Sequence, residues 1–116
     1  MLTLPSSVRV YLAAGATDLR RSMDGLSALV RDRLGLEPLS GHLFLFRNRR
    51  GDRLKVLAWE PSGFWLFYKR LERGTFAWPV EAEAGPFEMR ASDLMVLLAG
   101  VDVSATRRRK WYDRAA

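Results

Sequence analysis

The sequence predicts an α+β fold: an antiparallel β-meander sheet with two short helices packed on it. Three observations predict it. From His42 to Pro79 the chain is a series of strand-like runs separated by tight turns. Upstream, Met23, Leu26, Val30 and Leu34 recur at the helical period, with Leu29 widening the stripe. Downstream, Leu94 to Ala99 is apolar all round, the pattern of a helix buried on most sides or covering a partner.

In chain order, Val8 to Leu12 alternates, with Val8, Val10 and Leu12 on one face of a first strand. A helix is then expected over Ser22–Leu34, with Thr17, Asp18, Ser22 and Asp24 as candidate caps. Gly35 suits its left-handed C-terminal position, and Pro38 forbids continuation. Leu43-Phe44-Leu45-Phe46 is a continuous apolar run, which argues for a strand buried on both faces. Asn48-Arg49-Arg50-Gly51-Asp52 forms a hairpin loop, and Arg53 to Trp59 alternates beyond it. Glu60-Pro61-Ser62-Gly63 has the pattern of a type I turn. Phe64 to Leu71 is the next strand, carrying Phe64, Leu66, Tyr68 and Arg70 on one face and Trp65, Phe67, Lys69 and Leu71 on the other. Thr75 to Trp78 reads as a fourth strand of the meander, stopped by Pro79. Residues 80–86 form an acidic loop, and Phe87 to Arg90 one more edge strand. A second helix is expected from Ser92, as cap, to Ala99. Both helices are expected on one face of the sheet. Residues 1–103 are expected to form a single domain and 104–116 a basic, mobile tail.

At 116 residues the chain fits one domain, and a domain of that size buries roughly two-thirds of the surface its unfolded chain exposes. The absence of cysteine excludes a disulfide framework and fits a reducing compartment. No signal peptide is read at the start, and no apolar run approaches the ~20 residues of a membrane span. A cytoplasmic protein without membrane contact is therefore expected. The formal charge is +6, distributed as +1 over residues 1–41, +5 over 42–79, −4 over 80–103 and +4 over 104–116. Two basic blocks flanking an acidic one point to a polyanionic partner such as DNA or RNA.

The run Gly41-His42-Leu43-Phe44-Leu45-Phe46-Arg47-Asn48-Arg49-Arg50-Gly51-Asp52-Arg53-Leu54-Lys55-Val56-Leu57 resembles the small accessory proteins, called TnpB, of the IS66 family of bacterial insertion sequences. Tyr68-Lys69-Arg70-Leu71-Glu72-Arg73-Gly74 and Thr17-Asp18-Leu19-Arg20 extend the resemblance, which runs from about Val8 to Asp102. It implies a transposon-encoded protein that acts beside a separate DDE transposase. Together with the basic blocks, that setting makes DNA of the element ends the expected partner, with the transposase and other element-encoded accessory proteins as further partners. It brings no catalytic residues.

The residues themselves agree with a non-enzymatic role. One His and no Cys rule out zinc and thiol chemistry, and His42 beside Gly41 reads as an ordinary turn histidine. Asp18, Asp24, Asp52, Asp93 and Asp102 sit where capping or turn chemistry explains them, so a metal-dependent nuclease is the weaker alternative. No cofactor is expected. The candidate nucleic-acid residues are Arg47, Arg49, Arg50, Arg53, Lys55, Lys69, Arg70 and Arg73, with Trp59 and Trp65 as candidate stacking rings. Arg49 and Arg50 project from a hairpin tip, suited to phosphate or a groove. Capping is the first role expected of Thr17 and Asp18, ahead of phosphate contact at the helix start. The competing reading is a protein–protein adaptor whose charge is incidental.

Overall fold

Alternation and turn chemistry build the centre of the protein much as the sequence predicts. The computed structural model describes residues 7–83 and 85–101. Strands β1 (Val10–Leu12), β2 (Leu43–Arg47), β3 (Arg53–Glu60), β4 (Gly63–Arg70) and β5 (Phe87–Met89) form one sheet in the order β4-β3-β2-β1-β5. Helix α1 (Met23–Asp32) joins β1 to β2, and α2 (Ala91–Ala99) follows β5. A short 3-10 helix, Val80–Glu83, occupies part of the expected acidic loop, with Ala82 buried. The expected tail, 104–116, lies outside the described residues.

The sheet is mixed, not a pure antiparallel meander. β2, β3 and β4 are antiparallel neighbours, but β1 pairs parallel with β2 and antiparallel with β5. Short connections impose antiparallel pairing only on the strands they join; β1 and β2 are separated by a long crossover carrying α1, and such a crossover permits parallel pairing. The expected fourth meander strand does not form. Only Thr75 bridges, antiparallel, to Val101, while residues 76–79 run irregularly across the sheet.

The helices lie on opposite faces, against the expectation of one covered face. Leu26 and Val30 of α1 pack on Phe44, Phe46 and Leu57. Leu94 and Leu97 of α2 pack on the other face, with Val10, Leu12, Leu43, Leu45, Leu54, Val56 and the crossing Phe76. Phe44, Leu45, Phe46 and Leu57 are all fully buried, so the central strands need an apolar layer on each side. Three layers are the result.

The helix ends also differ from expectation. Ser22 occupies the N-cap of α1 without a side-chain cap, and Asp18 forms its own turn by accepting from the Arg20 backbone N–H at 3.0 Å. Arg90, not Ser92, is the N-cap of α2. At the other end of α1, Gly35 takes φ 66°, which lets the Leu36 N–H reach the Val30 carbonyl at 3.0 Å.

Candidate nucleic-acid interface

The hairpin between β2 and β3 is hydrogen-bonded at its base and bare at its tip. Asn48 organises it: its side-chain amide donates to Asp52 Oδ1 at 2.9 Å, and its Oδ1 accepts from the Arg53 backbone N–H at 3.0 Å. That bond from Asn48 holds the Asp52 carboxyl below its usual range, with Arg50 and Arg53 adding to the effect. Gly51 is buried with φ 78°, and its carbonyl accepts from the Phe76 N–H at 2.7 Å. Arg49 and Arg50 are exposed, and neither makes a hydrogen bond or ion pair among the described residues.

From the tip the positive charge continues along one face of β3 and β4. Register places Arg53 directly opposite Arg70 and Lys55 opposite Tyr68. These four side chains share the sheet face that carries α1, because Leu57, two residues beyond Lys55, packs on Leu26 and Val30. Lys55 Nζ donates to the Arg21 carbonyl at 3.0 Å and lies 5.7 Å from the centre of the Tyr68 ring. Arg70 reaches Glu72 at 3.2 Å, an exposed pair of the kind worth little in water.

A groove of about 470 Å³ runs between this face and the turn before α1, bounded by Asp18 and Arg20 on one side and Asn48, Arg53, Lys55 and Tyr68 on the other. Asp18 receives Arg20 Nη2 at 2.8 Å and Arg20 Nε at 3.0 Å. That clamp holds its carboxyl down to about 2. The sequence reading missed Tyr68, Asp18 and Arg20 as parts of one site; only the fold of the α1 approach over β3 and β4 makes them neighbours.

The remaining candidates are dispersed. Arg47 is half-buried on the opposite face, where Nη1 donates to the Phe76 carbonyl at 3.0 Å and the guanidinium lies 5.0 Å from the Trp78 ring centre. Trp78 in turn donates to the Ala13 carbonyl at 2.9 Å, so Arg47 and Trp78 together pin the crossing segment to the sheet. Lys69 also points to the α2 face and donates to the Leu98 carbonyl at 2.8 Å, which satisfies the C-terminal end of α2. Trp65, 46% exposed, stacks on Phe67 on that same face. Trp59 is half-buried and meets Phe64 edge-on at 4.9 Å on the α1 face. Arg73 is exposed in the turn after β4. His42 Nδ1 accepts from the Arg9 backbone N–H at 3.0 Å, a structural role at the entrance of β2. Among the described residues no three Asp, Glu or His side chains come together as a metal-holding group, and no helix is long and apolar enough to cross a membrane.

A mixed five-stranded sheet between two helices, with an exposed arginine hairpin between β2 and β3, defines a small α+β domain. Comparison with known proteins gives the family. Residues 8–108 match the family described as IS66 Orf2-like protein, TnpB, and the chain belongs to it. The chain is similar to two proteins of Sinorhizobium fredii (strain NBRC 101917 / NGR234). It is 44% identical to uncharacterized protein y4hO over 102 residues, which is 88% of each chain. It is 37% identical to uncharacterized protein y4jC over 102 residues, covering 88% of this chain and 86% of that one. No solved structure matches. Membership associates the chain with the accessory machinery of transposition.

Proposed function

We propose that the chain serves transposition by holding DNA phosphates on the face shared by the hairpin tip and β3–β4. The observation that carries this reading is the placement of Arg53 opposite Arg70, with Lys55 next along the same face. Like charges directly opposite one another weaken a sheet, and a polyanion lying across them reverses the sign of that effect. Arg49, Arg50 and Arg73, exposed in the turns at the ends of these strands, bring the cations of this reading to six. Arg47, Lys69 and Trp65 stand outside this face. Phosphate contacts of this kind position DNA without reading its sequence.

Titration of element-end DNA over a range of salt concentrations tests it. Six phosphate contacts give a log–log slope of about −5, and Arg49→Ala with Arg50→Ala makes that slope shallower by about 2. Absence of binding at low salt, or an unchanged slope in the double variant, overturns the assignment.

A second reading, a protein adaptor without direct DNA contact, rests on α2, where Met95 is 66% exposed and Val96 39%. It expects transposase binding that Met95→Asp abolishes and the double arginine variant leaves intact.

A further inference from the structure

Strand β4 ends the sheet. Its eight residues, Gly63–Arg70, pair with β3 on one side, and no described residue pairs with the other. β3 and β4 join through the two-residue turn Pro61-Ser62, so Glu60 and Gly63 exchange bonds and every second residue after Gly63 does likewise. The Leu71 N–H bond to the Asp52 carbonyl, at 2.8 Å, keeps the same alternation. The backbone N–H and C=O groups of Phe64, Leu66, Tyr68 and Arg70 therefore point outward. An edge this long and apolar is a template for another strand unless something covers it.

We propose that a second copy of this chain covers it, β4 against β4 in antiparallel register about a two-fold axis at Phe67. The sequence of the strand is self-complementary in that register. All four outward residues of each copy then exchange main-chain bonds, Phe64 with Arg70 and Leu66 with Tyr68 of the partner, and the reverse. On the α1 face each Arg70 guanidinium meets a Phe64 ring, and on the α2 face each Lys69 meets a Trp65 ring, both cation–π combinations. Phe67 meets its own symmetry mate in a non-hydrogen-bonded position, where side chains approach most closely. Trp65 and Tyr68, 46% and 55% exposed in the single chain, gain cover. Charge also selects the direction. The cations of β4 lie at one end only, so antiparallel pairing separates Lys69 and Arg70 of the two copies, whereas parallel pairing stacks them. Each five-stranded sheet continues into the other, an isologous dimer that closes on itself.

Sedimentation velocity of the full chain over a concentration series is the primary test, with a reversible dimer as the expected result. Tyr68→Pro removes one outward N–H while leaving the β3 ladder intact, as proline does on an edge strand. It should give a monomer with an unchanged far-UV circular dichroism spectrum. The chain has no cysteine, so a single introduced one reports the register. Opposed Cα atoms at a non-hydrogen-bonded position lie about 4.5 Å apart, inside the roughly 4.4–6.8 Å range that disulfides accept. Phe67→Cys is expected to link the copies on mild oxidation, and Met95→Cys on α2 is not. Should Phe67→Cys fail to fold, Trp65→Cys combined with Lys69→Cys reads the same register from another opposed pair. A monomer at every concentration overturns the proposal, whether solvent or the residues after Val101 cover the edge. A dimer that survives Tyr68→Pro, or that links through Met95→Cys and not through β4, overturns it too.

Discussion

Asp18 shows how a residue's neighbours, more than its type, decide its chemistry. Read from the sequence it is a helix cap; in the fold it is four positions ahead of Ser22, too far from α1 to cap it, and it clamps Arg20 instead. The clamp lowers its folded pKa to about 2 from the ordinary 3.8. A depressed carboxylate contributes stability above its unfolded pKa and loses that contribution as pH falls through the folded one. The window for Asp18 is thus from about 4 down to about 2, and because the pair is exposed the effect on overall stability is small. Carboxyl chemical shifts should place the Asp18 midpoint near 2, and Arg20→Ala should return it toward 3.8. A midpoint unmoved by Arg20→Ala means that the clamp does not form in solution. Arg47 and Lys69 make the complementary point. Both are indistinguishable by type from Arg49 or Arg53, yet main-chain carbonyls of Phe76 and Leu98 engage them on the opposite face. Residue type could not separate these groups because a strand's faces acquire different environments only when layers are added to them.

At the scale of elements, the β2–β3 hairpin is the part most legible in advance. Asn, Gly and Asp at positions 48, 51 and 52 each do what local turn chemistry requires of them. The structure adds a tertiary clamp: the Phe76 N–H closes on the Gly51 carbonyl, and a Cβ at Gly51 meets Thr75 Cβ at 3.3 Å. Gly51→Ala therefore suffers both the left-handed backbone, about 1–2 kcal/mol for a residue with a Cβ, and the contact with Thr75. Urea unfolding should show a loss of about 2 kcal/mol, and a loss below about 0.5 kcal/mol would mean that the turn relaxes to another conformation. The fourth meander strand failed for a reason of the same scale. Thr75 to Trp78 has strand-like composition, but its polar partners are scattered over Val101, the hairpin tip, the Arg47 side chain and the Ala13 carbonyl, with no run of strand pairing. Composition cannot show where a segment's hydrogen bonds will go.

For the whole molecule, layering is the decisive feature. Leu57 faces α1 and Leu45 faces α2, and both are fully buried. Truncation of either to Ala should remove about 2–5 kcal/mol, and a domain near this size shifts its melting temperature by roughly 4–8 °C per kcal/mol. If the two layers form one cooperative unit, Leu45→Ala and Leu57→Ala each lower a single transition seen alike by circular dichroism and tryptophan fluorescence. Two separated transitions would show that the layers are independent. The sequence by itself determined the α+β class, the three-stranded antiparallel centre, both helices, the exposed arginine tip and the membership in a transposition-associated family, because each follows from local periodicity, turn residues or a contiguous motif. Only the tertiary structure decided that β1 enters the sheet beside β2, that the helices take opposite faces, and which cations remain on a common surface. Those outcomes depend on how the apolar runs of β2 and β3 are covered. A run such as Leu43–Phe46 states that both of its faces must be buried, but not which helix will bury each one.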